Sequence, residues 1–240
     1  MTDTNEQVTI AEGLKTADFS LILASSVHDM KNSLGMLLNS LDTVMRAMPP
    51  QNEEQEQQFS TLHYEASRIN TELIQLLSIY RMQNDRLPVQ IDECYLIDVL
   101  EEQVARNDLL FQSRGLDVQI DCDEDLVWYF DGELIGGVVH NVLVNAARYT
   151  KKTIRLSARL EDELLEIAVA DDGIGYPDAM MRAPEEGSMG PVDFQKGNTH
   201  LGLYFAQQVA SLHRRNDRNG QIELSNGGDL GGGIFKIFLP

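Results

Sequence analysis

His140-Asn141-Val142-Leu143-Val144-Asn145-Ala146-Ala147-Arg148-Tyr149-Thr150 is the stretch on which the second half of this chain turns. Asn141, Asn145 and Arg148 fall at i, i+4 and i+7, so they share one face of a helix. Val138, Val142 and Leu143 turn the other way, towards a sheet. Two side-chain amides and a guanidinium on one face suit a hydrated cation and a chain of phosphates. Magnesium takes oxygen ligands, keeps part of its water, and accepts an amide oxygen. A polar outer face on an ordinary amphipathic helix is the plainer alternative.

Working outward, Asp131 is placed to cap this helix, which runs to about Tyr149. Before it come a short strand, Val127 to Phe130, and an alternating one at Leu116, Val118 and Ile120. Tyr95 to Gln112 reads as one helix. After it, Ile154 to Leu160 and Leu165 to Val169 alternate with a period of two, and Asp162-Glu163 turns between them, predicting a hairpin. Residues 176–199 read as a long loop, Leu201 to His213 as a helix, and Ile222-Leu224 and Ile234-Leu239 as strands joined by glycines. The sum is an α/β sandwich with helices on one face of a mixed sheet.

Two further pieces of this half carry chemistry. Asp171-Asp172-Gly173-Ile174-Gly175 follows a strand: its glycines let the backbone approach a flat ligand, and Asp171 offers an acceptor for an exocyclic amine. An ordinary tight turn is the alternative. Gly197-Asn198-Thr199-His200-Leu201-Gly202-Leu203 joins a loop to a helix N-terminus, where free amides attract anions.

The first third of the chain is of another kind. Leu23, Val27, Met30, Leu34, Leu37, Leu41, Val44 and Met48 step by fours and threes, the apolar stripe of a helical bundle. Pro49-Pro50 ends that helix, and Phe59, Leu62, Ala66, Ile69, Leu73, Leu76 and Tyr80 repeat the pattern in a second. An antiparallel hairpin of this kind leaves a broad apolar stripe in water, which pairing two copies into a four-helix bundle covers, so a homodimer is expected. His28, Asp29 and Asn32 lie off the stripe, an imidazole held in water with a carboxylate beside it. A surface histidine on a packed helix is the alternative.

Composition narrows the partners. The formal charge of −19 argues against nucleic acid or an anionic membrane surface. No apolar run suits a signal peptide or a membrane span, and the two cysteines, Cys94 and Cys122, have no metal-like spacing, so a reduced, cytoplasmic protein is expected.

Taken together, the pieces resemble the sensor histidine kinases of two-component systems. His28, Asp29, Met30, Lys31, Asn32, Ser33 and Leu34 fill the phosphoacceptor box, with Asn32 at the fifth place and no proline, and Asp-x-x-Asn matches the phosphatase signature. The three later pieces resemble the N, G1 and G2 boxes of the Bergerat-type (GHKL) ATP-binding domain. The resemblance implies that Asn141 and Asn145 hold Mg2+, Arg148 meets the phosphates of ATP, and Tyr149 packs near adenine. It implies that Asp171 reads the adenine amine, that Gly173 and Gly175 shape the pocket, and that Gly202 and Leu203 close the G2 box. Asn198 and His200 stand where that box has its earlier glycines, so lid closure is expected to differ, and Phe194 is the F-box candidate.

The expected organisation is a tail at 1–13, a dimerisation and phosphotransfer hairpin at 14–83, a linker at 84–94 and a catalytic ATP-binding domain at 95–240. The expected activity is autophosphorylation of His28 and transfer to a response-regulator aspartate, with Asn32 serving a reverse phosphatase reaction and an upstream sensor acting in trans. A dimeric ATP-binding scaffold without kinase activity is the alternative. A GHKL ATPase or serine kinase of the anti-sigma type is a third, opposed by the hairpin with its exposed histidine.

Overall fold

In a computed structural model of the chain, residues 25–27, 29–41, 43–83, 87–181 and 201–240 are described. Residues 25–27, 29–41 and 43–47 are helical and form α1; α2 is Glu53–Gln83. The Asn52 side chain caps α2 by accepting from Gln55 N at 2.9 Å, and Glu53, Glu54 and Glu56 suit the positive end of the helix dipole. Both helices expose apolar side chains at heptad spacing: Met30, Leu37 and Val44 on α1, and Leu62, Ile69 and Leu76 on α2.

Beyond the helices lie β1 (Asp92–Tyr95), α3 (Leu96–Arg106), α4 (Asp108–Ser113), β2 (Asp117–Cys122), β3 (Val127–Phe130) and α5 (Gly132–Tyr149). They continue with β4 (Thr153–Glu161), β5 (Leu164–Asp171), α6 (Asp178–Met181), α7 (Leu201–Leu212), β6 (Arg214–Arg215), β7 (Arg218–Asn219), β8 (Gln221–Gly227) and β9 (Gly232–Leu239). The main sheet has the order β2-β4-β5-β9-β8, with β2 and β4 parallel and the other neighbours antiparallel. The alternation of β4 buries Ile154, Leu156 and Ala158, which lie in register with Asp171, Val169 and Ile167 of β5. On β9, Phe235, Ile237 and Leu239 continue the same layer, and α3, α5 and α7 contribute Leu100, Leu143 and Phe205 to the core above it. Each such side chain contributes roughly 1.5–3 kcal/mol by leaving water. On the sheet's other face, buried Glu166 is paired with Lys236 at 2.9 Å and Arg159 at 2.8 Å.

Two expectations differ from this architecture. Residues 95–112 are not one helix: Tyr95 ends β1, and the chain breaks at Asn107 (φ −107°, ψ 9°). Asn107 Nδ2 donates to Gln103 O at 2.7 Å and bonds His140 at 3.0 Å, and these contacts hold the break. Nor are residues 92–94 linker, since β1 pairs antiparallel with β3, setting Glu93 against Tyr129 and Cys94 against Trp128. The hairpin turn at Asp162 (φ 50°) and Glu163 (φ 65°) and the Asp131 cap, whose Oδ1 accepts from Leu134 N at 2.9 Å, are as expected. Helix α2 packs against α4, α5 and α7, and Tyr64 and Ile79 join the core of the α/β unit.

Candidate nucleotide site

The three sequence pieces converge on α5. The helix starts at the Asp131 cap and ends where Thr150 Oγ1 donates to Ala146 O at 2.7 Å. Val138, Val142 and Leu143 are buried towards the sheet, while Asn145, Arg148 and Tyr149 are exposed. Asn141 is buried, at 6% exposure, and its Oδ1 accepts from Asn145 Nδ2 at 3.3 Å. The outer of the two amides is thus exposed and held by the inner one. The Arg148 guanidinium stands 5.4 Å from the centre of the Tyr149 ring.

Helix α7 meets α5 at Asn141. A Cβ on Gly202 would stand 2.5 Å from Asn141 Nδ2, so the close approach requires glycine there. Leu203 beside it is half-buried against the core.

The turn after β5 meets the other end of α5. A Cβ on Gly173 would collide with the carbonyl oxygen of Tyr149. Asp171 is buried, and its Oδ1 accepts from Gly173 N at 2.7 Å and from Gly233 N at 3.2 Å. Two amides thus fix one carboxylate oxygen, and the second can accept further hydrogen bonds. Asp172 accepts from Lys151 N at 2.9 Å and Lys152 N at 3.0 Å, tying the turn to the start of β4. Its burial is slight, and the amides of Lys152, Thr153 and Lys151 outweigh it and hold its pKa below the usual value. Gly175 has φ +75°, and a side chain there would strike Asn226. Asn226 in turn clamps the Tyr176 backbone, accepting from its N at 2.6 Å and donating to its O at 2.8 Å. Burial, then the charge of Asp171, push the Tyr176 phenol up from its ordinary value.

Behind the site, two histidines are held neutral. His213 Nε2 accepts from Asp131 N at 3.0 Å, so its Nδ1 donates to Val209 O at 2.9 Å. Burial lowers its pKa against the opposing pull of Val209 and Asp131. Burial and the charge of Arg106 lower His140 to about 4. On the hairpin side, Asp29 and Asn32 are exposed on α1. His28 lies outside the described residues, as do Phe194, Gly197, Asn198 and His200.

Gly233, Asn226 and Tyr176 were not singled out from the sequence. Asn226-Gly227-Gly228 carries only the signature of a turn, and the reach of Asn226 to Tyr176 exists only once β8 is in place.

Residues 130–240 match the model of the histidine kinase-, DNA gyrase B-, and HSP90-like ATPase family. With its helical N-terminus it has the layout of a sensor histidine kinase catalytic region. It is 24% identical over 221 residues to the sensor histidine kinase CssS of Bacillus subtilis, covering 91% of this chain and 46% of that protein. It is 26% identical over 229 residues to the sensor protein KdpD of Clostridium acetobutylicum, covering 92% of this chain and 24% of that one. The chain thus spans less than half the length of these curated relatives. Among solved structures, the histidine kinase AdeS of Acinetobacter baumannii superposes with a TM-score of 0.56 at 17% identity, covering 88% of this chain and 96% of that one. Full-length ShkA, solved in complex with AMPPNP, superposes with a TM-score of 0.60 at 17% identity, covering 91% and 45%. Among the described residues no helix is long and apolar enough to cross a membrane.

Proposed function

We propose that the chain is an ATP-dependent protein-histidine kinase that moves the γ-phosphoryl group of ATP onto His28 and thence to an aspartate of a response-regulator receiver domain. The observation that carries this reading is the meeting of three boxes on one helix: Gly202 against Asn141, Gly173 against the Tyr149 carbonyl, and Asp171 with one oxygen fixed by two amides. The family's ATPase description and the AMPPNP held by ShkA support ATP as the donor.

In this reading Asp171 Oδ2 accepts from the adenine amine, Gly173 and Gly175 keep the turn flush with the base, and Tyr149 lies beside it. The exposed amide oxygen of Asn145 and the inner one of Asn141 are hard donors that fit Mg2+. Mg2+, when bound, supplies charge neutralisation of the phosphates. Arg148 adds its own positive charge, and the amides of Gly202 and Leu203 open the N-terminus of α7 to an anion. An unprotonated ring nitrogen of His28 attacks the γ-phosphorus as the bond to the bridging oxygen breaks and ADP leaves. Asp29 holds the other ring nitrogen, and its carboxylate stabilises the imidazolium that forms. Asn32, one turn along, orients water for dephosphorylation of the regulator. The exposed heptad positions of α1 and α2 pair with those of a second copy, and input arrives through a partner acting in trans.

One sequence feature favours a second reading, an ATP-binding scaffold that phosphorylates nothing: Asn198 and His200 replace two lid glycines. Incubation of the chain with γ-labelled ATP separates the two. The kinase gives an acid-labile label that His28→Gln abolishes while nucleotide still binds. ATP bound without label establishes the scaffold, and an acid-stable label establishes a serine kinase.

A further inference from the structure

His140 precedes Asn141 on α5, and it is joined at both ring nitrogens. Asn107 Nδ2, which can only donate, lies 3.0 Å from His140 Nδ1. His140 Nδ1 is therefore the acceptor, and the ring's proton sits on Nε2. Nε2 lies 3.2 Å from Thr71 Oγ1, whose own hydroxyl proton goes to Ser67 O at 2.9 Å. The protons therefore run in one sense, from Asn107 through His140 and Thr71 to the backbone of α2.

The chain of bonds crosses between the two parts of the molecule. Thr71 belongs to the hairpin, Asn107 to the break between α3 and α4, and His140 to the helix that carries the nucleotide amides. Around it the seam is polar: Gln75 and Gln103 are buried, and Gln75 Nε2 and Gln103 Oε1 have no hydrogen-bond partner among the described residues. Tyr64 and Ile79 anchor α2 by burial, whereas among these polar groups the bonded chain through His140 is the one that fixes a specific register of α2 on α5. Its height along the hairpin is telling. Asp29 lies eighteen positions before residue 47, the last of α1, and Thr71 lies eighteen after Glu53, the first of α2. In the antiparallel hairpin expected from the two apolar stripes these positions come level, which puts the tether at the height of the phosphoacceptor segment.

We infer that His140 is a positioning residue for phosphoryl transfer: bonded to Thr71, it sets the nucleotide helix at the level of the acceptor. The inference rests on the kinase reading above. It acts through placement and touches neither ATP nor His28, so its loss slows transfer and leaves nucleotide binding alone.

The test is Thr71→Val, which keeps the shape and removes the hydroxyl, alongside Thr71→Ser, which restores it. Autophosphorylation of the full chain is measured against ATP concentration, with hydrogen exchange of the α2 and α5 amides in the same samples. Thr71→Val is expected to lower kcat about tenfold, since small misplacements are costly to in-line transfer, with KM for ATP within about twofold. Its amides near Thr71 and His140 exchange faster, and Thr71→Ser recovers both readings. An unchanged kcat, a KM that moves with kcat, or a Ser variant as slow as Val overturns the inference. If the parent chain itself takes no label, the kinase reading fails, and unchanged exchange in Thr71→Val refutes the tether independently.

Discussion

Gly202→Ala puts one methyl group where Asn141 Nδ2 stands, 2.5 Å from the new carbon. Gly137→Ala, on the same α5 as Asn141, puts one at ordinary contact distance, 4.0 Å from Phe205 Cζ. Each replacement gains about 1 kcal/mol of helix propensity. At Gly137 nothing opposes that gain, so the melting temperature rises by about 2–4 °C for a chain of this size. At Gly202 the methyl overpacks the contact, which costs about 1–3 kcal/mol, and stability ends between unchanged and roughly 2 kcal/mol lower. The relief available is rotation of the Asn141 amide, which breaks its 3.3 Å bond with Asn145. If that amide helps hold Mg2+, a loss of about 1–3 kcal/mol weakens Mg-ATP binding roughly 5- to 150-fold. Thermal unfolding and calorimetric titration with Mg-ATP on both variants and the parent decide the matter. A Gly202→Ala chain that melts higher, like Gly137→Ala, and binds Mg-ATP within twofold of the parent would refute the reasoning.

Asp171→Asn replaces a charged acceptor with an amide and should weaken ATP binding by about ten- to a hundredfold; parental affinity by calorimetry removes Asp171 from the adenine contact. Leu37→Asp sets a charge on an exposed stripe that a second copy would bury, so light scattering should report a monomer with its helix content intact. A dimer of parental strength places the interface elsewhere. His213 has a folded-state pKa below its unfolded one, because burial outweighs Val209 and Asp131. Below about pH 6.5 the unfolded chain gains a proton that the folded one refuses, so stability falls as pH drops. His213→Gln should therefore show a shallower loss than the parent between pH 7.5 and 5.5 in denaturant titrations, and equal slopes would contradict the assignment.

The parts of the molecule fixed by short-range physics were readable from the residues. The period of two from Ile154 to Ala158 and the capping carboxylate of Asp131 act locally, and both stand in the structure, while Leu160 at the strand's end is exposed. Gly173 and Gly202 stand at close approaches that leave no room for a Cβ. What stayed hidden depends on partners far along the chain. Asn107 has no glycine or proline beside it, and the helix breaks there with its amide bonded to His140, 33 residues away. Strand β1 shows no clean alternation, with Cys94 alone half-buried, and it exists by pairing with β3. Thr71 and Gln75 lie off the apolar stripe of α2, yet both are buried. His28, the residue from which the functional reading of the hairpin starts, lies outside what the structure describes.

The 31 residues of α2 make a rod about 46 Å long that engages different surfaces on different sides. Tyr64 and Thr71 turn to the α/β unit, while Leu62, Ile69 and Leu76 lie on the far side of the helix from them and open to solvent. A helix advances about 100° per residue, so one residue inserted between Tyr64 and Thr71 swings everything downstream by more than a quarter turn. Thr71 would then point past His140, and Leu76 would leave the line of Leu62. Seven inserted residues restore the phase to within about 20° but carry Thr71 about 10 Å along the axis from His140. The spacing from Tyr64 to Thr71 is therefore held by phase and by rise together, and an insertion of any length between them should uncouple Thr71 from His140.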